Sequence, residues 1–123
     1  MPARHDVSSF IRTTFRSVWA LELLCLMRSE PEREWERGDL VSALRASDLV
    51  IDQGLAGLAD AGLVVMLAPD RARYQPASAE LDRLAREAEA QYASSPDKVR
   101  RLIIHAAHGS LSAFADAFRV RRD

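Results

Sequence analysis

With 123 residues, the chain is long enough for one domain with a hydrophobic core and too short for a second domain to be expected. Hydrophobic residues make up 48% of it and charged residues 28%, an ordinary composition for a globular protein. The formal net charge of −1 excludes a global attraction to nucleic acid or to an anionic membrane, so any nucleic-acid-binding function must depend on local charge.

Charge is distributed unevenly along the chain. Residues 29–62 contain eight acidic residues and three arginines, whereas residues 1–28 contain two acidic residues and four arginines. Residues 99–123 are basic as well, with five arginines and two aspartates. Residues 63–76, with two arginines and one aspartate, are slightly basic. The basic parts of the chain are therefore its two ends and residues 63–76, whereas residues 29–62 are acidic.

Neither a disulfide framework nor a membrane-spanning segment is expected. Cys25 is the only cysteine and lies in an apolar run, which predicts a buried structural thiol. The apolar stretch at residues 10–27 resembles neither a signal peptide nor a span of about 20 apolar residues. It is interrupted by the charged residues Arg12, Arg16 and Glu22. We therefore expect a cytoplasmic protein.

The first predicted helix begins near Ser8 or Ser9, either of which can cap it, and continues to Met27 or Arg28. After it, Trp35 is the one apolar residue in a charged stretch, which predicts a very short strand whose indole ring enters the core. One apolar face of the helix is marked by Ile11, Phe15, Val18 and Cys25.

Two helices joined by a tight turn are predicted next. The first covers Asp39 to Ala46, and the second runs from Asp48 to about Ala61, after a turn at Ser47. Gly62 is well placed to end the second helix in the left-handed conformation. The residues predicted to face inward are Leu40, Val41, Leu44, Ile51, Leu55 and Leu58.

A hairpin follows these helices. Leu63 to Ala68 is rich in Val and Leu and predicts a strand, Pro69 and Asp70 predict a turn, and Arg73 to Gln75 is the returning strand. The tip and the return of this hairpin contain Arg71 and Arg73.

Helices are predicted for the rest of the chain. One runs from Ser78 to about Ala93, and the next covers Asp97 to about His108, with Ser95 as its N-cap and Pro96 at its first position. The residues of a last short helix include Leu111, Phe114 and Phe118.

The order of helix, turn, helix and hairpin over about residues 15–76 resembles the winged helix-turn-helix domains of bacterial transcriptional regulators, in the broad sense that includes MarR-type and BlaI-type repressors. The resemblance implies a mainly α fold with a small β-hairpin wing, a winged helix-turn-helix to which C-terminal helices are added. The residues that carry it are Trp35, Leu40, Val41, Leu44, Ser47, the pattern Leu55-x-x-Leu58-x-x-Ala61-Gly62-Leu63-Val64, and Arg71 to Tyr74.

A regulator of this kind is cytoplasmic, binds double-stranded DNA and regulates transcription, and no cofactor is expected. The helix from Asp48 to Ala61 would enter the major groove, where Gln53 can bond adenine and Val50 can contact a thymine methyl group. The DNA-binding residues that the resemblance implies are Arg45, Ser47, Val50, Gln53, Arg71 and Arg73.

The charge of the recognition helix favours an alternative. Asp48, Asp52 and Asp60 lie on this helix, which contains no Lys or Arg, and this is the wrong charge for contact with phosphate. The alternative function is a winged-helix protein–protein interaction module that does not bind DNA. Its partner-binding residues would be Leu49, Val50 and Asp52.

We expect residues 1–76 to form the winged-helix domain, including the N-terminal helix, and residues 77–123 to form a helical extension packed with it as one unit. The resemblance implies a homodimer formed through the N- and C-terminal helices, with no membrane contact. The sequence identifies no small-molecule effector. Candidates for lining an effector pocket are Phe10, Trp19, Phe114 and Phe118, although core or dimer packing is the commoner use of such residues.

Catalytic and metal-binding patterns are missing. The chain has no glycine-rich phosphate loop, no HExxH and no Gly-x-Ser-x-Gly, so an enzyme is not expected. His105 and His108 have a spacing compatible with a shared metal, but no carboxylate or cysteine stands at a matching position on their helix. Metal binding is therefore not expected either.

Overall fold

The computed structural model describes residues 3–106, and the side chains of residues 7–106. The described chain is mainly helical with one small antiparallel sheet, which confirms the predicted fold class. The elements are α1 (Ala3–Thr14), α2 (Val18–Ser29), β1 (Trp35–Glu36), α3 (Arg37–Leu44), α4 (Asp48–Asp60), β2 (Val64–Ala68), β3 (Arg71–Tyr74), α5 (Ala79–Ser94) and α6 (residues 96–106).

The single N-terminal helix predicted from the sequence is wrong, because the chain turns a corner between α1 and α2. Ser17 has an extended backbone (φ −154°, ψ 160°), and its hydroxyl oxygen accepts a hydrogen bond from the Ala20 amide. Ser17 is thus the N-cap of a new helix, whereas Ser8 and Ser9 lie inside α1. Phe15 is buried at the corner, with its ring edge-on to that of Phe10 at 5.7 Å.

The two helices predicted on either side of the Ser47 turn are present, with small shifts at their boundaries. α3 begins at Arg37 rather than Asp39, because β1 runs directly into it, and it ends at Leu44. α4 begins at Asp48, and the Ser47 hydroxyl accepts a hydrogen bond from the Val50 amide at 3.1 Å.

The end of α4 is closed by the predicted left-handed glycine. Gly62 has φ +80°, its amide bonds the Ala59 carbonyl, and the Leu63 amide bonds the Leu58 carbonyl at 3.0 Å. This pair of bonds is the Schellman arrangement, which satisfies carbonyls that the helix leaves without partners. A Cβ at Gly62 would lie 3.3 Å from Leu81, so space as well as backbone conformation favours glycine there.

The predicted hairpin is present and extends to three strands in the order β1-β3-β2. Val64 is opposite Tyr74, and a register irregularity between Met66 and Ala68 precedes the turn. Trp35 pairs with Ala72 across the sheet, and its side chain is only 3% exposed, as expected for a ring that enters the core.

The C-terminal helices pack on the same core as the helix-turn-helix. α5 is capped by the Ser78 hydroxyl, lies against α1, and is tied to α2 by a hydrogen bond from the Tyr92 hydroxyl to Glu22 at 2.9 Å. Tyr74 of β3 likewise donates to Asp82 of α5 at 2.7 Å. α6 starts after Ser95, and the predicted last helix lies outside the described residues.

One hydrophobic core unites all of these elements. Its large, fully buried side chains come from α1 to α4, from the corner at Phe15, from Leu63 at the exit of α4 and from α6. The largest of them are Phe15, Ile11, Leu21, Leu23, Leu24, Met27, Leu40, Ile51, Leu58, Leu63, Ile103 and Val7. None of the described helices is long and apolar enough to cross a membrane.

Two glycines of α4 provide a test of this packing. A Cβ at Gly54 would lie 2.9 Å from Cδ2 of the buried Leu23, whereas a Cβ at Gly57 would meet nothing within 4 Å. Gly57→Ala should stabilise the protein by about 0.5–1 kcal/mol through helix propensity. Gly54→Ala should be less stable than Gly57→Ala by about 1–3 kcal/mol because it overpacks the contact between α2 and α4. Urea unfolding measures both values, and equal stabilisation by the two substitutions would contradict this packing.

Candidate nucleic-acid interface

α4 presents a mixed face to solvent. Leu49 is 65% exposed, Asp48, Asp52 and Gln53 are also exposed, and Val50 is half-buried. The inward face of the same helix carries Ile51, Leu55 and Leu58, all nearly fully buried, so packing fixes which residues point outward. The sequence-predicted residues Val50 and Gln53 therefore lie together on the side of α4 that does not enter the core.

A groove of about 530 Å³ runs between this side of α4 and the corner that joins α1 to α2. Trp19 lies in its wall and is 42% exposed, an unusual position for a large aromatic side chain. The groove is lined by Thr14, Arg16, Ser17, Trp19, Ala20, Val50, Gln53, Gly54, Ala56, Gly57 and Asp60. Of the four aromatics considered for an effector pocket, Phe10 packs in the core, Trp19 lines this groove, and Phe114 and Phe118 lie outside the described residues.

One of the three aspartates of α4 has a basic partner that the sequence did not indicate. Nη1 of Arg37, the first residue of α3, lies 3.0 Å from Oδ2 of Asp52. Both side chains remain partly exposed, so the pair contributes at most about 1 kcal/mol to stability. The pair matters more for the charge of α4, because it compensates Asp52. Asp48 and Asp60 are then the carboxylates of α4 that form no ion pair among the described residues.

The turn between α3 and α4 holds an arginine in an unfavourable backbone conformation. Arg45 has φ 54° and ψ 42°, and it is the only described residue other than glycine with a positive φ. This conformation costs a residue with a Cβ roughly 1–2 kcal/mol, a cost that glycine avoids. The Arg45 side chain is exposed and forms no ion pair among the described residues, so its charge is available to a ligand.

The two wing arginines lie beside acidic residues. Nη atoms of Arg71 lie 3.8 Å from Glu34 and 3.7 Å from Glu36, and Nη1 of Arg73 lies 4.0 Å from Glu34. Arg73 also donates to the side chain of Gln75 at 2.7 Å. The cause is the strand order, because β3 pairs with β1 and so places these arginines next to the glutamates that flank Trp35.

The six residues expected to contact DNA thus fall into two groups. Arg45, Ser47, Val50 and Gln53 lie together on the α3–α4 turn and the exposed side of α4, whereas Arg71 and Arg73 lie on the sheet. The groups are connected through Arg37, whose amide bonds the Asp70 carbonyl at the hairpin turn and whose guanidinium bonds Asp52.

Sequence reasoning missed Trp19, Arg37 and Glu34 as parts of this region. Arg37 and Asp52 are 15 residues apart and leave no local pattern in the sequence. The alternation of Glu34, Trp35 and Glu36 opposite the two wing arginines was the one available signal for the cross-strand pairs.

The two groups whose pKa is raised mainly by burial and to about 12, Cys25 and Tyr74, lie off the exposed side of α4. Cys25 is half-buried rather than fully buried as expected, and this burial raises the pKa of its thiol to about 12, so it stays protonated at neutral pH. Burial, followed by the hydrogen bond to Asp82, raises the pKa of Tyr74 to about 12. Within residues 7–106, no group of three or more His, Cys, Asp or Glu side chains is arranged to hold a metal ion.

Comparisons with known proteins do not indicate a function for this chain. No protein-family model matches the chain, and neither a curated protein nor a solved structure shows significant similarity to it.

The N-cap of α4 can be tested by substitution. Ser47→Ala should lower the free energy of unfolding by about 0.5–2 kcal/mol, because the Val50 amide loses its acceptor, whereas Ser47→Asp should retain most of the stability. Ser42→Ala, at an exposed position inside α3, is the control and should change stability by less than about 0.5 kcal/mol. Chemical denaturation measures all three variants, and a Ser47→Ala effect no larger than that of the control would refute the cap.

Proposed function

We propose that the chain is a winged helix-turn-helix regulator of transcription that binds double-stranded DNA through α4. The observation that carries this proposal is the α3–α4 turn, where an exposed, unpaired Arg45 is held in a left-handed conformation beside the capped start of an outward-facing helix. A strained residue that glycine would replace at lower cost is a reason to look for function in its side chain. Gln53, exposed on the same side of α4, would bond base edges in the major groove.

The composition of α4 is acidic and argues against DNA binding, but the ion pairs around the helix favour it. The Arg37–Asp52 pair removes one of three uncompensated carboxylates, and Arg16 and Arg45 flank α4 without an ion pair among the described residues. Val50 forms part of the groove wall and is half-buried, so it would make a smaller contribution than Gln53. In this proposal, Ser47 orients α4 rather than contacting DNA itself.

The wing has a secondary role in the proposal. Its pairs between Arg71, Arg73 and the β1 glutamates are half-exposed and separated by 3.7–4.0 Å, so each contributes at most about 1 kcal/mol and can open for a phosphate. The glutamates would nevertheless remain beside the bound phosphate and repel it. We therefore propose that backbone contacts depend mainly on Arg45 and Arg16.

A second candidate function is a protein–protein interaction module that does not bind DNA. The observation that favours it is the exposure of two large apolar side chains, Leu49 on α4 and Trp19 in the wall of the α4 groove. Exposed apolar surface marks protein interfaces more often than it marks DNA interfaces. In this case, the partner would contact Leu49, Val50 and Asp52.

Under the regulator proposal, the protein is cytoplasmic and acts as a homodimer that uses its terminal helices. What supports the dimer is Ile104, which is 58% exposed on α6 while Val99 and Ile103 of the same helix are buried in the core. An apolar residue on the outer face of α6 is well placed to meet its counterpart across a twofold axis.

Arg45→Gly separates the functional role of this residue from its structural role. Relief of the left-handed strain offsets the greater chain entropy of glycine, so we expect stability to change by less than about 1 kcal/mol. The affinity for a random-sequence duplex at about 100 mM salt should fall roughly 3- to 10-fold, and the salt slope should shrink by about 1. Fluorescence anisotropy titrations at several salt concentrations measure both quantities.

The control for this titration is Arg86→Ala, which removes an exposed arginine of α5 that already lies 3.8 Å from Asp82. It should leave the duplex affinity within about twofold of the unaltered protein. If the unaltered protein fails to bind duplex at about 50 mM salt, the DNA-binding proposal falls and the interaction module becomes the better account.

The dimer makes a separate prediction. The intact chain should have the mass of two copies in light scattering, and Ile104→Asp should shift it to the mass of one, because a carboxylate would be buried without a partner. Leu49→Asp, at the similarly exposed apolar residue of α4, should leave the mass unchanged. A monomeric intact chain at micromolar concentration would rule out this assembly.

A further inference from the structure

A second surface, distant in sequence from the helix-turn-helix, collects positive charge. The cleft between α1 and α6 has a volume of about 290 Å³ and is lined by Arg12, Lys98, Arg101, Leu102 and His105. Three of these five side chains are cations and a fourth is a histidine, while none is acidic. The cleft therefore has a positive potential that low-dielectric walls concentrate.

The cations of this cleft, like Arg16 and Arg45, form no ion pair among the described residues, whereas most arginines of the described fold do. Arg28, Arg33, Arg37, Arg71 and Arg73 all lie within 4.0 Å of a carboxylate. Even on α6 itself, Arg100 pairs with Asp97 at 3.2 Å, whereas its neighbour Arg101 faces the cleft. Positive side chains that are grouped and unpaired repel one another, and an anion between them removes that repulsion.

Their spacing matches an extended anion better than a single small one. Lys98, Arg101 and His105 follow one another at i, i+3 and i+7, which places them on one face of α6 over a length of about 10 Å. Arg12 completes the cleft from α1. A basic stripe along a helix is the usual electrostatic footprint of a surface that follows a phosphate backbone.

The end of α1 contributes to both the cleft and the α4 groove. Arg12 and Thr14 are both in the last turn of α1, and Arg12 lines the cleft whereas Thr14 lines the groove. Arg16 follows at the corner and also lines the groove without an ion pair among the described residues. The last turn of α1 and the corner after it therefore supply one unpaired arginine to each surface.

We infer that the α1–α6 cleft binds phosphate groups and that its occupant is the backbone of the duplex held by α4. This inference rests on the proposed function for the identity of the occupant, but the phosphate chemistry rests on the cleft alone. Arg12, Lys98 and Arg101 carry the contacts, and Leu102 is the apolar residue of the lining.

The test compares two triple variants that remove the same charge. The cleft variant is Arg12→Ala, Lys98→Ala and Arg101→Ala; the control is Arg33→Ala, Arg86→Ala and Arg100→Ala, three partly exposed arginines that already have acidic partners. All six side chains lie outside the core, and thermal melts verify that both variants fold. Anisotropy titrations of a labelled random-sequence duplex are made at 50–200 mM salt, and a parallel series uses inorganic polyphosphate.

We expect the cleft variant to lose at least 10-fold in duplex affinity at about 100 mM salt and to reduce the salt slope by about 2 to 3, since each phosphate contact contributes about 0.9. The control should change each value less than half as much. Polyphosphate binding should fall with the cleft variant in the same way.

The possible results distinguish failure of the cleft proposal from failure of the proposed function. If the cleft variant binds duplex with an unchanged salt slope, the proposal that the cleft binds phosphate is overturned and the regulator proposal stands. Polyphosphate binding that depends on the cleft, with no duplex binding by the unaltered protein, supports the cleft as a phosphate site and overturns the DNA function. Failure to bind either polyanion overturns both.

Discussion

The arrangement of the whole fold depends on the backbone turn at Gly62 and Leu63. Their amides close the end of α4, while the Leu63 carbonyl accepts from the Gln75 amide at 3.0 Å and the Gly62 carbonyl accepts from the Ala77 amide at 2.8 Å. Two residues therefore fix the exit of α4, the return of the hairpin and the approach to α5. The requirement for φ +80° and for space beside Leu81 makes glycine the residue that meets both conditions. The turn thus joins the end of α4 to the sheet and to α5, while the burial of Ile51, Leu55 and Leu58 decides which residues of α4 reach solvent.

Intramolecular ion pairs decide which arginines are available to a ligand. In the sequence, Arg71 and Arg73 look like an ordinary basic wing, but the strand order places Glu34 within 4.0 Å of both. Arg37, in contrast, offsets a carboxylate of α4 and makes that helix less acidic than its composition indicates. The positive charge available to a ligand is therefore that of the described arginines and lysine without an ion pair. These side chains lie at the α3–α4 turn, at the α1–α2 corner and in the α1–α6 cleft.

The sequence predicts what local patterns encode. Helical periodicity, the Ser47 cap, Gly62 and the Pro69-Asp70 turn identified α4 and the hairpin with their boundaries nearly correct, because each acts within a few residues. The break at Ser17 was missed because an apolar period continues across it, whereas the burial of Phe15 against Phe10 at the corner depends on tertiary packing. The pairing of Arg37 with Asp52 and the grouping of Arg12 with Lys98 were beyond prediction, since both join residues that tertiary structure alone brings together.

The missed corner is also what gives the molecule its two basic surfaces. In one continuous helix, Arg12 and Arg16 would be four residues apart and would point the same way. The turn at Ser17 instead directs Arg12 toward α6 and places Arg16 with Trp19 beside α4. The break between α1 and α2 thus separates Arg12, in the α1–α6 cleft, from Arg16, in the α4 groove. If a polyanion occupies both, the corner between α1 and α2 must keep its shape on binding, and the burial of Phe15 in the core is the feature that holds it.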